Sequence, residues 1–292
     1  MLAIVIKTFL REKVIRKCVK NIFQYIHAPF RLYVVDDSGD ISDTQTAFYD
    51  DLIDRGHSVI RLPFDSGLSA GRNAGIDALQ DEEYVFLTDD DIFVGPDTDI
   101  SIPINILSKN DEVKLVGGAL PNKAERRWHL RLYLGESGIL YKVEAPEPGE
   151  SWKETDGIPW IDCDCVLNFF VAKREIFEQV RWDTHLKMSE HVPFFWRLYH
   201  AFPRSVAFTP AFPAQHISVD ERPQRGIIES EQYRKIYQRN WAEGRWRKFE
   251  KFPEVKAMMH GIVDRDRIWW VEKRFREGDE SLKHVPWIDW YE

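Results

Sequence analysis

Three consecutive aspartates, Asp89, Asp90 and Asp91, interrupt an apolar run in the segment FLTDDDIFV at 86–94. Like charges at the end of a strand repel and raise one another's pKa unless a cation or hydrogen-bond donors offset them. The bland alternative is a solvated turn. Mg²⁺ or Mn²⁺ takes carboxylate oxygens and completes its shell with water and phosphate oxygens, so the triplet predicts a divalent metal and a diphosphate. Two further apolar runs end in polar groups: LAIVIKTF (2–9) at Thr8, and RLYVVDDS (31–38) at Asp36, Asp37 and Ser38. A lone DDS after a strand is more often a turn or a helix N-cap than a ligand site. Three such ends along one sheet edge are harder to ascribe to chance.

These groups need strands to carry them. Over the first 120 residues, strand-like and helix-like patterns alternate. LAIVIKTF is followed by REKVIRKCVKNIFQYI (11–26), whose Val14, Ile15, Cys18, Val19, Ile22 and Ile26 fall at helical spacing. After the second strand come a polar helix near 42–54, the strand HSVIRL (57–62), the helix SAGRNAGIDAL (69–79) and the strand YVFLTDDD (84–91). Nearly continuous apolar strands separated by helices predict an α/β fold whose mostly parallel sheet is covered on both faces. In such sheets ligands gather outside the carboxyl ends of the strands. Beyond residue 120, HLRLYLGESGILYKVEA (129–145) predicts a hairpin turning at Gly135–Gly138, and 146–160 reads as a loop. VLNFFVAKREIFEQV (166–180) predicts a strand and a short helix, SEHVPFFWRLYHAF (189–202) an amphipathic helix, and SVAFTPAFPAQHIS (205–218) an extended segment.

In order and spacing, VVDDSGD, GLSAGRNAGI and FLTDDDIFV resemble the nucleotide-sugar-binding half of a GT-A glycosyltransferase of the family 2 type, with the triple Asp as its DxD motif. The stretch CVLNFFVAKREIFEQVRWDTHLKMSEHVPFFWRL (165–198) resembles the acceptor half. Its NFF…EH…FF pattern is similar to the branch containing the β-1,4-N-acetylgalactosaminyltransferases. The resemblance implies a GT-A domain over 1–220, divided into a nucleotide-sugar half (1–120) and an acceptor half (121–220), with a small helical, Trp-rich extension over 221–292.

It also implies roles. Thr8, Asp36 and Asp37 would hold the uracil ring of a UDP-sugar. Gly71 would allow close backbone approach and Arg72 would lie against the nucleotide. Asp89 and Asp90 would bind the nucleotide-sugar; Asp89, Asp91 and His216 would hold Mn²⁺ or Mg²⁺. Trp182, Asp183 and Asp164 would face a saccharide or glycoconjugate acceptor. Family 2 inverting enzymes place Glu-Asp at the start of a helix, with the Asp as base. Here the pair is Glu190-His191, and either can take the acceptor hydroxyl proton; the alternative is that Glu190 only caps its helix.

Composition bounds the partners. The 292 residues carry 40 Lys/Arg against 48 Asp/Glu, a net charge of −8, which disfavours nucleic acid. Three cysteines make no disulfide framework, so a reducing compartment is expected. The opening MLAIVIKTFLREK has too short an apolar run for a signal peptide; the expectation is a cytoplasmic protein. Cys163 and Cys165 lack the further soft ligands that a metal site needs and read as buried thiols. Residues 222–251 mix nine basic and four acidic side chains with Tyr and Trp. They read as a helix packed on the core, as a peripheral contact with an anionic membrane, or as an acceptor clamp. A sugar-nucleotidyltransferase would be expected to carry a Gly-rich loop after its first strand, and TFLREK (8–13) has no glycine. A non-catalytic UDP-sugar-binding protein would be expected to lose the acidic motifs.

Overall fold

The computed structural model describes residues 1–121, 129–217, 231–259, 262–286 and 288–290. Its first half alternates strand and helix as the pattern predicts. β1 (Leu2–Thr8) leads to α1 (Glu12–Tyr25), β2 (Phe30–Asp36) to α2 (Asp43–Asp54), and β3 (Ser58–Arg61) to α3 (Leu68–Asp77). β4 (Tyr84–Asp89), β5 (Ile92–Phe93), α4 (Ser101–Lys109) and β6 (Leu115–Ala119) follow. The apolar stripe of α1 is buried, and α2 starts where the Ser42 hydroxyl accepts the Gln45 N–H.

The second half contributes β7 (His129–Leu134), β8 (Ile139–Glu144), β9 (Lys153–Thr155), β10 (Ile158–Cys163), β11 (Cys165–Val166), β12 (Phe169–Lys173) and α5 (Ile176–Gln179). α6 (His191–Ala201), β13 (Val206–Pro213) and β14 (Gln215–His216) complete it. The segment 146–160, expected as a loop, holds β9 and the start of β10. The turn between them is Asp156-Gly157, with φ of 51° and 78°. An Asp-Gly pair suits a hairpin turn that needs two positive φ angles.

Among the described residues nine strands form one sheet in the order β3-β2-β1-β4-β12-β6-β13-β10-β9. β1 runs parallel to β2 and β4, with Thr8 opposite Asp36 and Lys7 opposite Asp89. The three polar strand ends therefore lie side by side. Both faces are covered: Ala3 and Val5 join the core of Phe170 and Phe194, while Ile4 and Ile6 join that of Ile15, Cys18 and Val19.

The C-terminal segment supplies α7 (Glu231–Arg247), β15 (Ala257–Met259), α8 (Arg265–Arg276) and β16 (Ile288–Trp290). It is helical but also extends a second sheet, ordered β11-β7-β8-β15-β16. Buried Glu272 of α8 accepts the hydroxyls of Ser137 and Tyr141, each at 2.6 Å, and so fastens α8 to the β7–β8 hairpin. No helix among the described residues is long and apolar enough to cross a membrane.

Candidate active site

The crevice is built on the end of β2. Because strand side chains alternate, Asp36 and Asp37 part company. Asp36 turns towards α2 and accepts the Tyr49 hydroxyl and the Ser38 N–H, both at 2.9 Å. Asp37 faces a cavity of about 240 Å³ that Asp89, Asp90, Asp91 and His216 also line. Its carboxylate pairs with Lys7 at 2.6 Å and accepts the Gly67 N–H at 2.8 Å. Gly71 serves this arrangement: a Cβ there would stand 2.4 Å from Cγ of Lys7, so the missing side chain leaves room for the lysine stem. The close approach at Gly71 is by Lys7.

The aspartates are individually compensated. Asp90 accepts the Thr8 hydroxyl at 2.7 Å and pairs with Arg11 at 2.6 Å. Burial still pushes its pKa up to about 6 against the pull of Arg11, with Asp91 and Asp89 adding to the rise. Asp89 is likewise raised by burial, opposed by Arg72 at 2.8 Å. Asp91 meets Arg11 at 3.2 Å on one oxygen and His216 Nε2 at 3.6 Å on the other. Antiparallel pairing of β5 with β14 sets His216 opposite Ile92, and the Ile217 N–H donates to the Asp91 carbonyl at 2.9 Å. This ribbon is what carries a residue from the far end of the domain to the triplet.

Among the described residues no three His, Cys, Asp or Glu side chains gather into a metal cage. Asp91 and His216 nevertheless offer a carboxylate oxygen and an imidazole nitrogen at the cavity wall. That set fits a divalent cation whose remaining ligands come from diphosphate and water.

Arg72 is 1% exposed and links the donor side to α6. Its guanidinium holds Asp89 with one nitrogen and Glu190, at the N-cap position of α6, with another. His191 turns elsewhere, its Nδ1 2.9 Å from Asn168 Oδ1 and its Nε2 3.5 Å from Cys165 Sγ. Burial first, then Arg72 and Lys142, hold its pKa down to about 3, so it stays neutral at physiological pH. Both Cys163 and Cys165 are buried thiols.

The three expected acceptor residues do not line the cavity. Trp182 is 2% exposed and its ring lies flat on Phe194, with centroids 4.2 Å apart. Phe177 also stacks nearby at 5.7 Å and the Arg72 guanidinium approaches at 5.8 Å. The backbone of Trp182 exchanges two hydrogen bonds with the Asn73 side chain, at 2.8 and 3.1 Å. The Asn of AGRN thus ties α3 to this loop. Asp164 accepts the Leu132 N–H at 3.0 Å and steadies the β7–β8 hairpin; burial raises its pKa.

Asp183 gathers Arg197 at 2.8 Å, His185 at 3.0 Å and Lys251 at 3.3 Å. Burial alone would raise its pKa, but the hydrogen bonds from His185 and Arg197 outweigh this and hold it well below the usual carboxylate range. A depressed folded-state pKa contributes stability above the unfolded value of about 3.9 and loses it as pH falls towards the folded value. Asp183→Asn is therefore expected to cost about 1–3 kcal/mol in urea unfolding at neutral pH, with parent and variant converging in acid. An equal deficit at both pH values would contradict the ionic anchor.

Lys7 and Arg11 are the site residues that sequence reasoning passed over. The signal was the pair of cations flanking Thr8 in KTFLR, at a strand end that faces other acidic strand ends.

A mostly parallel sheet with an acidic crevice at its carboxyl edge, extended by antiparallel β12, defines the GT-A class of nucleotide-diphospho-sugar folds. The sequence model of Glycosyl transferase family 2 matches residues 3–181. The chain belongs to that family. Mouse β-1,4 N-acetylgalactosaminyltransferase 2 is 27% identical over 199 residues, which cover 67% of this chain and 35% of that protein. Mouse β-1,4 N-acetylgalactosaminyltransferase 1 is 28% identical over 208 residues, with the same coverage. The chain thus spans about a third of the length of these relatives. GalNAc-T7, solved with UDP, GalNAc and Mn²⁺, superposes with a TM-score of 0.56 at 15% identity over 97% of this chain and 56% of its own. The mannosyltransferase PcManGT of Pyrobaculum calidifontis, solved with GDP-Man and Mn²⁺, gives 0.53 at 13% identity over 84% and 62%. At such identities the likeness speaks for the fold.

Proposed function

We propose that the protein transfers a sugar from a UDP-sugar to a hydroxyl of a saccharide or glycoconjugate, with inversion. An N-acetylhexosamine, first N-acetylgalactosamine, is the donor sugar, ahead of galactose or glucose. The observation that carries this reading is the convergence of Asp37, Asp89–Asp91 and His216 on one cavity at the carboxyl ends of β1, β2 and β4. The names of the mouse relatives support the choice of sugar, and the UDP and Mn²⁺ bound to GalNAc-T7 support the choice of nucleotide and ion.

In this reading Asp37, paired with Lys7, accepts the N3–H of uracil. Asp91 and His216, with Asp89 beside them, would hold a divalent cation, which would supply positive charge for the diphosphate leaving group. Thr8 and Arg11 fix Asp90 and so the shape of the triplet. Glu190 takes the acceptor proton while the acceptor oxygen bonds to C1 and the bond from C1 to the phosphate oxygen breaks. Glu190 is held in place by Arg72 at the N-cap position of α6. His191 is the weaker candidate, because a pKa of about 3 leaves it little affinity for a proton.

The test is UDP release from a panel of UDP-sugars, with and without Mn²⁺. Metal-dependent release from one donor is expected, and Asp91→Ala is expected to lower it about 100-fold or more. Failure of UDP with Mn²⁺ to bind at all would sink the nucleotide reading.

A further inference from the structure

We infer that α7, which lies outside the residues matched by the family, is the outer wall of the donor cavity, latched by Asp65, and that its seating and nucleoside-diphosphate binding are coupled. This rests on the donor-site reading above. Tyr233, Ile236, Tyr237 and Asn240 follow one another at i, i+3, i+4 and i+7, a single helical face, and all four line the cavity opposite Asp37 and the aspartate triplet.

The latch is specific. Asp65 is 7% exposed and sits at φ 56° in the loop before α3. One carboxylate oxygen accepts the Asn240 amide at 2.6 Å; the other takes Lys187 at 2.8 Å and Arg239 of α7. The Asp65 N–H donates to the Asp37 carbonyl at 3.0 Å, so the latch lies one hydrogen bond from the proposed uracil contact. A second tie runs through Tyr233, whose ring lies 5.2 Å from the Arg11 guanidinium that holds Asp90 and Asp91. At its far end α7 meets the loop ahead of Glu190 closely: a Cβ on Gly244 would stand 2.3 Å from the Met188 carbonyl oxygen. One helix thus touches the base-binding loop, the aspartate triplet through Arg11, and the approach to α6.

α7 forms one side of the cavity of about 240 Å³, so a nucleotide-sugar seated there lies against the helix and is retained while α7 stays seated. A buried carboxylate with charge-assisted partners supplies the closing force. Residues of α7 are then part of the donor site and contribute to nucleotide affinity.

The experiment uses the full chain with UDP and Mn²⁺, reading affinity by calorimetry and protection of 231–247 by hydrogen exchange. The parent is expected to gain protection there on binding. Asn240→Asp sets a second carboxylate against Asp65 and is expected to weaken UDP about tenfold or more and abolish the protection, with the melting curve still cooperative. Tyr233→Ala, which leaves the latch intact, is expected to do the same to a lesser degree. UDP binding by the parent without added protection, or parental affinity in both variants, would overturn the inference alone. Absence of UDP binding by the parent would overturn the donor-site reading and this inference together.

Discussion

Glu190→Gln is expected to lower kcat by about 10²–10⁴-fold while UDP binds as in the parent. Glutamine keeps the shape of the side chain and a carbonyl oxygen for Arg72 but cannot carry off the acceptor proton. Glu190 does not line the nucleotide cavity, so a loss confined to kcat would separate proton transfer from donor binding. The comparison is His191→Gln. Its ring is held by Asn168 and Cys165, and only a modest drop is expected. Were the histidine variant the inactive one and the glutamine variant nearly normal, the base would be His191 and Glu190 an N-terminal charge that steadies the helix. A melting curve for each variant guards against loss of fold, since Glu190 also meets the buried Arg72.

The donor edge was legible in the sequence because a parallel sheet buries both faces of its strands. Each apolar run had to end where polarity was tolerated, and Thr8, Asp37 and Asp89 mark those ends. Their alignment follows from register, Thr8 beside Asp36 and Lys7 beside Asp89. Alternation then decides which of two neighbouring aspartates reaches the ligand, and the motif alone did not separate Asp36 from Asp37. The charge triplet was read as a call for a cation. The structure supplies two from the chain itself, Arg11 to Asp90 and Arg72 to Asp89, partners chosen by tertiary approach rather than by spacing. The composition around Trp182, an aromatic beside an acidic residue, suits an acceptor-facing ring and a core ring about equally. Its stacking on Phe194 of α6 is a tertiary contact, which no local pattern encodes. β15 and β16 are three residues each, too short for any periodicity to show, and they exist because β8 offers them an edge. The Asp-Gly turn between β9 and β10 was visible in TDGI and was outweighed by the prolines and glycines around it. As for α7, its mixed composition allowed a packed helix, a membrane contact or a clamp; what distinguishes it is the face placed over the cavity.

Arg72→Met is expected to be the most destabilising single change at the site, by about 3–5 kcal/mol, a fall in Tm on the order of 10 °C. Arg72 is 1% exposed and faces two carboxylates, those of Asp89 and Glu190. Burial opposes its charge, yet the two acidic partners outweigh that and raise its pKa. Methionine fills much of the volume, so the loss would report charge compensation more than packing: two buried or half-buried carboxylates would face each other with nothing between them. Arg72→Lys keeps the charge but gives up the planar fork that reaches both partners at once, and an intermediate loss is expected. If Arg72→Met unfolded in urea at the parental midpoint, the bridge would be compensating nothing. Glu190 could then not owe its position to Arg72, and the link between donor site and proposed base would have to run another way. If instead the methionine variant is strongly destabilised and the lysine variant partly rescued, one buried cation holds the two halves of the site together and fixes the position of the proposed base.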